Sequence, residues 1–227
     1  ESVSRVRISC SPPFFSAHVS NLIENYLMMS AFIILFYLTI RIGLNSYWEM
    51  VNPLYSYLFE ICFVISTYLV FRMKREINLF KFELNQKNII RLLPWPFVGY
   101  VIYRLALKST ILIPFDFSSY TLVFLLLIFA PILEEFVFRF SLWEAVSDYV
   151  KSEELQVWIS SILFSFGHLA SMYMLPPDFR PFVLYQSVYV IILGIGVSQM
   201  RIKTGSIFGS IIIHFLFNLG FYVGSLV

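Results

Sequence analysis

The sequence predicts an all-α fold: a polytopic transmembrane helical bundle of about seven spans, with six and eight as the bounds. Three observations predict it. Of the 227 residues, 59% are hydrophobic and only 13% charged, where a soluble domain carries about a quarter charged. Apolar windows of about 20 residues, long enough to cross a bilayer core, recur along the chain. One strongly basic stretch, RMKREINLFKFELNQKNIIR at 72–91, holds six Arg/Lys against two Glu between two such windows.

The expected spans run roughly 23–43, 53–72, 93–113, 119–143, 156–175, 182–201 and 204–226. The third carries Arg104 and Lys108 and follows Pro94 and Pro96, so a shorter span preceded by an interfacial helix over 84–92 is the alternative. Residues 1–22 read as a flexible or interfacial N-terminal segment of a single membrane-embedded domain, 1–227. The run Tyr26 to Ile40 lacks the cleavage site of a signal peptide. By the positive-inside rule the basic stretch is cytoplasmic, and with it the N-terminus, beside Arg5 and Arg7.

A net charge of +2 with clustered basic residues gives nucleic acid no footprint. Cys10 and Cys62 are too few for a disulfide framework, and Cys62, inside an apolar run, reads as a buried thiol. The lipid bilayer is the first partner.

Ionisable groups inside spans are costly, so each is a candidate functional residue. The informative set is Glu134, Glu135, Arg139, His168, His214 and Asn218. Counting from interfaces at Trp143, Trp158 and Thr204, Glu134, His168 and His214 each lie about 14–15 Å deep at 1.5 Å per residue, which sets them at one level near the cytoplasmic face. Glu135 and Arg139 are spaced i,i+4 and can neutralise each other. Glu134 points about 100° away and needs another partner. The pairs Phe164/His168 and His214/Asn218 share the same spacing, one placing an aromatic wall beside an imidazole and the other two hydrogen-bonding groups on one patch.

A carboxylate near an imidazole can draw a proton from water as that water attacks a carbonyl, with His214 and Asn218 donating to the oxyanion. Ser165 is a weak candidate nucleophile. Two alternatives stay open on the residues alone: a buried polar lock between helices, and a zinc site of Glu134, His168 and His214, although no HExxH helix is present. No cofactor is expected under the water mechanism. A transporter, with Glu60 in its polar path, would show inverted repeats, and none is visible.

Several single residues carry expectations. Glu60 would be protonated or paired with Arg104. Gly194, Gly196, Gly205, Gly209, Gly220 and Gly224 read as close helix contacts. Pro131 would kink the fourth span and free a carbonyl. His18 reads as interfacial, and Pro176, Pro177 and Pro181 as a rigid turn. Trp48, Trp95, Trp143 and Trp158 fit interfacial belts at least in part.

The segments EEFVFR (Glu134 to Arg139), FSFGH (Phe164 to His168) and HFLFN (His214 to Asn218) match, in order, the motifs EExxxR, FxxxH and HxxxN. The chain thus resembles the CPBP family of CAAX proteases and bacteriocin-processing enzymes, also called the Abi family, over a core of about 119–224. The resemblance implies a glutamate-dependent intramembrane endopeptidase open toward the cytoplasm. It assigns water activation to Glu134 with His168, oxyanion stabilisation to His214 and Asn218, and an architectural role to Glu135 and Arg139, with Phe164 in support. The implied substrate is a membrane-associated or lipidated peptide or protein, under CAAX-type or peptide-maturation activity. The alternative is a non-catalytic bacteriocin-immunity or sensor-kinase regulatory protein with a membrane protein partner. Small size and short loops resemble a prokaryotic member, which implies the bacterial cytoplasmic membrane rather than the endoplasmic reticulum.

Overall fold

The computed structural model describes residues 13–43, 54–73, 79–173 and 175–227, with side chains from residue 27 onward and excluding that of Tyr173. Cys10, Trp48 and the side chain of His18 lie outside what is described. Among the described residues every regular element is helical: α1 (Pro13–Gly43), α2 (Leu54–Arg72), α3 (Gln86–Leu92), α4 (Pro94–Lys108), α5 (Tyr120–Tyr149), α6 (Glu153–Leu169), α7 (Arg180–Thr204) and α8 (Ile207–Leu226). Six stretches are long and apolar enough to cross a membrane, and Leu27–Gly43 is a shorter apolar helix. The protein is therefore an integral, multi-pass membrane protein. Pro94 and Pro96 remove two backbone donors where α3 meets α4, but Leu93 keeps helical angles (φ −56°, ψ −38°), so the third expected span runs on as one stretch, Gln86–Lys108.

Helix ends follow from local chemistry. Asn85, Ser119, Ser152 and Ser206 cap α3, α5, α6 and α8, each accepting a backbone N–H with its side-chain oxygen. Gly205 ends α7 with φ +66°, and a Cβ added there would meet nothing within 4 Å. It is a helix terminator in the left-handed region, not the packing glycine the sequence suggested. Other glycines do make close contacts. A Cβ on Gly220 would lie 1.8 Å from the Pro96 carbonyl oxygen, and one on Gly99 would lie 1.9 Å from that of Phe217. Backbones of α4 and α8 thus touch along one seam.

α2 inverts the pattern of a soluble helix. Its buried stripe is Ser56, Glu60, Phe63, Thr67 and Phe71, and Thr67 Oγ1 lies 2.6 Å from Ser141 Oγ of α5. Cys62 sits one position off that stripe and is exposed, so the buried-thiol expectation is corrected by helical phase. Trp143 is buried against Arg201, whose guanidinium carbon is 5.6 Å from the ring centre. It therefore does not mark an interface, and α5 continues to Tyr149. Trp158 is exposed, and Trp95 packs at Gly196.

In the α7/α8 turn Gly205 is exposed, whereas Ser206 and Ile207 are buried. Ile207 N–H and Ser206 Oγ both donate to the Leu79 carbonyl, at 3.0 and 2.8 Å, so the connection after α2 covers that turn.

Candidate active site

α5 is the element that makes the site. It contains two π-helical stretches, Leu125–Phe129 and Phe136–Ser141, on either side of an α-helical turn, Ala130–Glu135. In the first stretch Ala130 N–H donates to the Leu125 carbonyl, five residues back. The next donor in that register would be residue 131, and proline has none. The orphaned Leu126 carbonyl instead accepts from Asn218 Nδ2 of α8 at 2.8 Å. Of the kink and freed carbonyl expected at Pro131, the freed carbonyl is present, beside a change of helical register.

Glu134 and Glu135 diverge as their spacing requires. Glu135 is fully buried, with one oxygen 3.3 Å from Arg139 Nε and the other accepting from His214 Nδ1 at 2.9 Å. Arg139, also fully buried, donates to the Gly194 carbonyl at 3.3 Å and lies 4.5 Å above the Phe164 ring. Glu135 therefore ties α5 to α8 through the histidine, a link the i,i+4 pattern does not reveal. Phe164 stacks edge-on to both His168 and His214, with centroids 4.7 and 5.7 Å apart.

Glu134 faces the two imidazoles. Its Oε2 lies 3.9 Å from His168 Nε2 and 3.8 Å from His214 Nε2. His168 Nδ1 is 3.0 Å from the Phe164 carbonyl; a carbonyl only accepts, so Nδ1 carries the hydrogen. His214 Nδ1 likewise donates to the Glu135 carboxylate. In their neutral forms both rings therefore present an Nε2 lone pair toward Glu134. Donation from Nε2 of either ring requires the doubly protonated form.

His168 and His214 thus meet Glu134 directly, Glu135 and Arg139 reach it through His214, and Asn218 is held beside them on α8. Sequence reasoning pairs Glu60 with Arg104, and the structure corrects this. Glu60 pairs with Arg41 of α1 at 3.2 Å because α4, which carries Arg104, packs along α8 and not α2. Ser165 Oγ donates to the Ser187 carbonyl at 2.8 Å and joins α6 to α7. Sequence reasoning missed Arg41 and Tyr57, which line the site. Their only signal was polarity near a span end, where polar residues are ordinary.

The site opens into a cavity of about 410 Å³. Glu134, His168, His214 and Asn218, with Arg41 and Gln186, line its polar side, and Leu122, Leu125, Phe182, Phe217 and Phe221 much of the rest. It reaches the connections that carry Pro114, Phe115, Ser171 and Leu175. That is the end of the bundle opposite the connection of Leu79. The Leu27 and Ser30 part of α1 meets Tyr149 and Asp148 at the Leu79 end, so it and the opening lie at opposite ends of the bundle.

Fold and site define a class: a multi-pass helical membrane protein with a carboxylate and two histidines converging inside the bundle. Residues 116–220, a little under half of the chain, match the family described as Type II CAAX prenyl endopeptidase Rce1-like. No curated protein and no solved structure matches the chain.

Proposed function

We propose that the protein is an intramembrane endopeptidase that hydrolyses a peptide bond with a water activated by Glu134 and His168. The observation that carries this is the convergence of Glu134 Oε2 and two Nε2 atoms at 3.8 and 3.9 Å on the wall of a cavity. These separations are too long for direct hydrogen bonds and leave room for a water held off the line between them. As the water oxygen bonds to the carbonyl carbon, Glu134 takes its proton. The second amide hydrogen of Asn218 and a protonated His214 donate to the oxyanion. When the C–N bond breaks, Glu134 returns the proton to the leaving nitrogen, giving an acid and an amine. Glu135 and Arg139 hold His214 in orientation.

A membrane-associated or lipidated peptide fits the apolar wall, under CAAX-type or peptide-maturation activity. The test offers purified protein in lipid a panel of peptides with and without a prenyl group. Glu134→Ala and His168→Ala should each abolish cleavage while the protein remains folded. Full cleavage by Glu134→Ala defeats the mechanism. Failure to cut any peptide, with both variants biologically active, favours a regulatory or immunity partner.

A metal held by Glu134, His168 and His214 is the weaker reading, since among the described residues no three acid, histidine or cysteine side chains are placed to hold one. The separations are wider than the roughly 3.3 Å between ligands at bonds of about 2.0 to 2.1 Å in a tetrahedral zinc site, which favours water. Loss of cleavage on chelation and its return with zinc would reverse that preference.

Charge sets the expected orientation. Residues 72–91 alone carry six Lys/Arg, against four (Arg41, Arg104, Lys108 and Arg180) toward the mouth, so the mouth should face away from the cytoplasm. A cysteine replacing Asp178 should then react with an impermeant maleimide from outside intact cells, and one replacing Lys151 only after lysis. The reverse pattern would put the opening in the cytoplasm.

A further inference from the structure

A second, smaller cavity of about 200 Å³ lies against the other side of Glu134. Its walls are Arg41, Ser56, Tyr57, Glu60, Ala130, Leu133 and Glu134. Five of these seven carry polar side chains, in contrast to the largely apolar wall of the larger cavity. At about 30 Å³ per water it accommodates on the order of six molecules, and polar surroundings with several partners are what hold buried water. Its framework is fixed: Arg41 Nη1 lies 3.2 Å from Glu60 Oε1 and donates to Ser56 Oγ at 3.0 Å, while the Tyr37 hydroxyl donates to Glu60 Oε1 at 3.4 Å. Arg41, Tyr57, Ala130 and Glu134 line both cavities.

We propose that the small cavity is the water compartment of the reaction, and that Arg41 and Glu60 are positioning residues that keep it hydrated beside Glu134. The inference rests on the endopeptidase reading. A peptide seated in the larger cavity fills its mouth, so a nucleophilic water arriving by the same route would compete with the substrate. Entry from the α1/α2 side removes that conflict, and a hydrated wall also lowers the cost of an ion pair inside the bundle. Four of the seven walls, Arg41, Ser56, Tyr57 and Glu60, come from helices outside residues 116–220, so the N-terminal helices complete the chemistry of the matched region.

Two variants of Ser56 test this in lipid nanodiscs. Ser56→Leu fills the compartment and should lower kcat at least about tenfold with KM within about twofold, the signature of a lost transition-state contribution rather than lost substrate binding. Ser56→Cys, in a Cys10→Ser background, should be alkylated by iodoacetamide at least about tenfold faster than Cys62, since only a hydrated thiol forms the reactive thiolate. Cys62 on the outer face of the same helix is the comparator. With Glu134→Gln added and the prenylated test peptide bound, the introduced thiol should stay reactive. Unchanged kcat in Ser56→Leu, an introduced thiol no faster than Cys62, or its protection by the peptide would each overturn the proposal. Should the unmodified protein cut no peptide, the endopeptidase reading fails, and the alkylation contrast still decides whether the compartment is wet.

Discussion

Two of the carboxylate–guanidinium pairs within the bundle, one in each half of the chain, differ in their surroundings. Glu135 and Arg139 are 0% exposed, sit on one helix, and are enclosed by Phe164, His214 and the Gly194 carbonyl. Glu60 and Arg41 bridge two helices at a polar cavity, with the Arg41 side chain 23% exposed. The first pair is a dry clamp that orients a histidine; the second lines a space. A charge in hydrocarbon is tolerated by either route: the first pair holds the orientation of His214, and the second faces the space beside Glu134.

The largest expected effect is the contrast between the pairs. Glu135→Ala leaves Arg139 buried and uncompensated, at a cost of about 3–5 kcal/mol. Glu60→Gln keeps the shape and leaves Arg41 beside its cavity, at no more than about 1 kcal/mol. Thermal unfolding in a fixed detergent compares the two. Equal losses would mean that the cavity at Arg41 is as dry as the clamp.

Next in size is the seam between α4 and α8. Gly220→Ala drives a methyl against the Pro96 carbonyl, and because backbone cannot move aside it should cost about 1–3 kcal/mol. Gly205→Ala meets no neighbour and should cost about 1 kcal/mol, through its left-handed backbone alone. The same unfolding measurement ranks them, and a smaller loss for Gly220 would show that the helices part easily.

The smallest effect is a coupling. Asn218→Leu strands the Leu126 carbonyl, a loss of about 1–3 kcal/mol for an unsatisfied buried group. In a Pro131→Ala background the new amide can bond that carbonyl, so the Asn218→Leu loss should shrink by about 1 kcal/mol in a double-mutant cycle. Additive losses would mean that Pro131 does not set the register.

Much of this was legible in the sequence. Span number and order follow from hydropathy, because lipid rewards each window independently. Glu134, His168 and His214 meet as their motifs implied, but not through the depth count that first aligned them. Measured from their own helix starts, His168 is 15 residues past Glu153 and His214 only seven past Ile207. The difference arises because Ser206 and Ile207, at the start of α8, are buried under Leu79, which no local pattern reports. For the same reason the partner of Glu60 was misassigned: helix adjacency is a property of packing, and hydropathy is blind to it. The link from Glu135 to His214 was hidden behind the simpler pairing with Arg139.

A π-helical stretch is an α-helix holding one residue too many, and α5 has one on each side of Glu134. Deleting a single residue from Leu125–Phe129 would let that stretch wind as ordinary α-helix with its flanks still in phase, because four α-helical residues turn about as far as five in the wider helix. The helix would keep its direction and its greasy surface, and would lose the widened turn that now leads into Glu134.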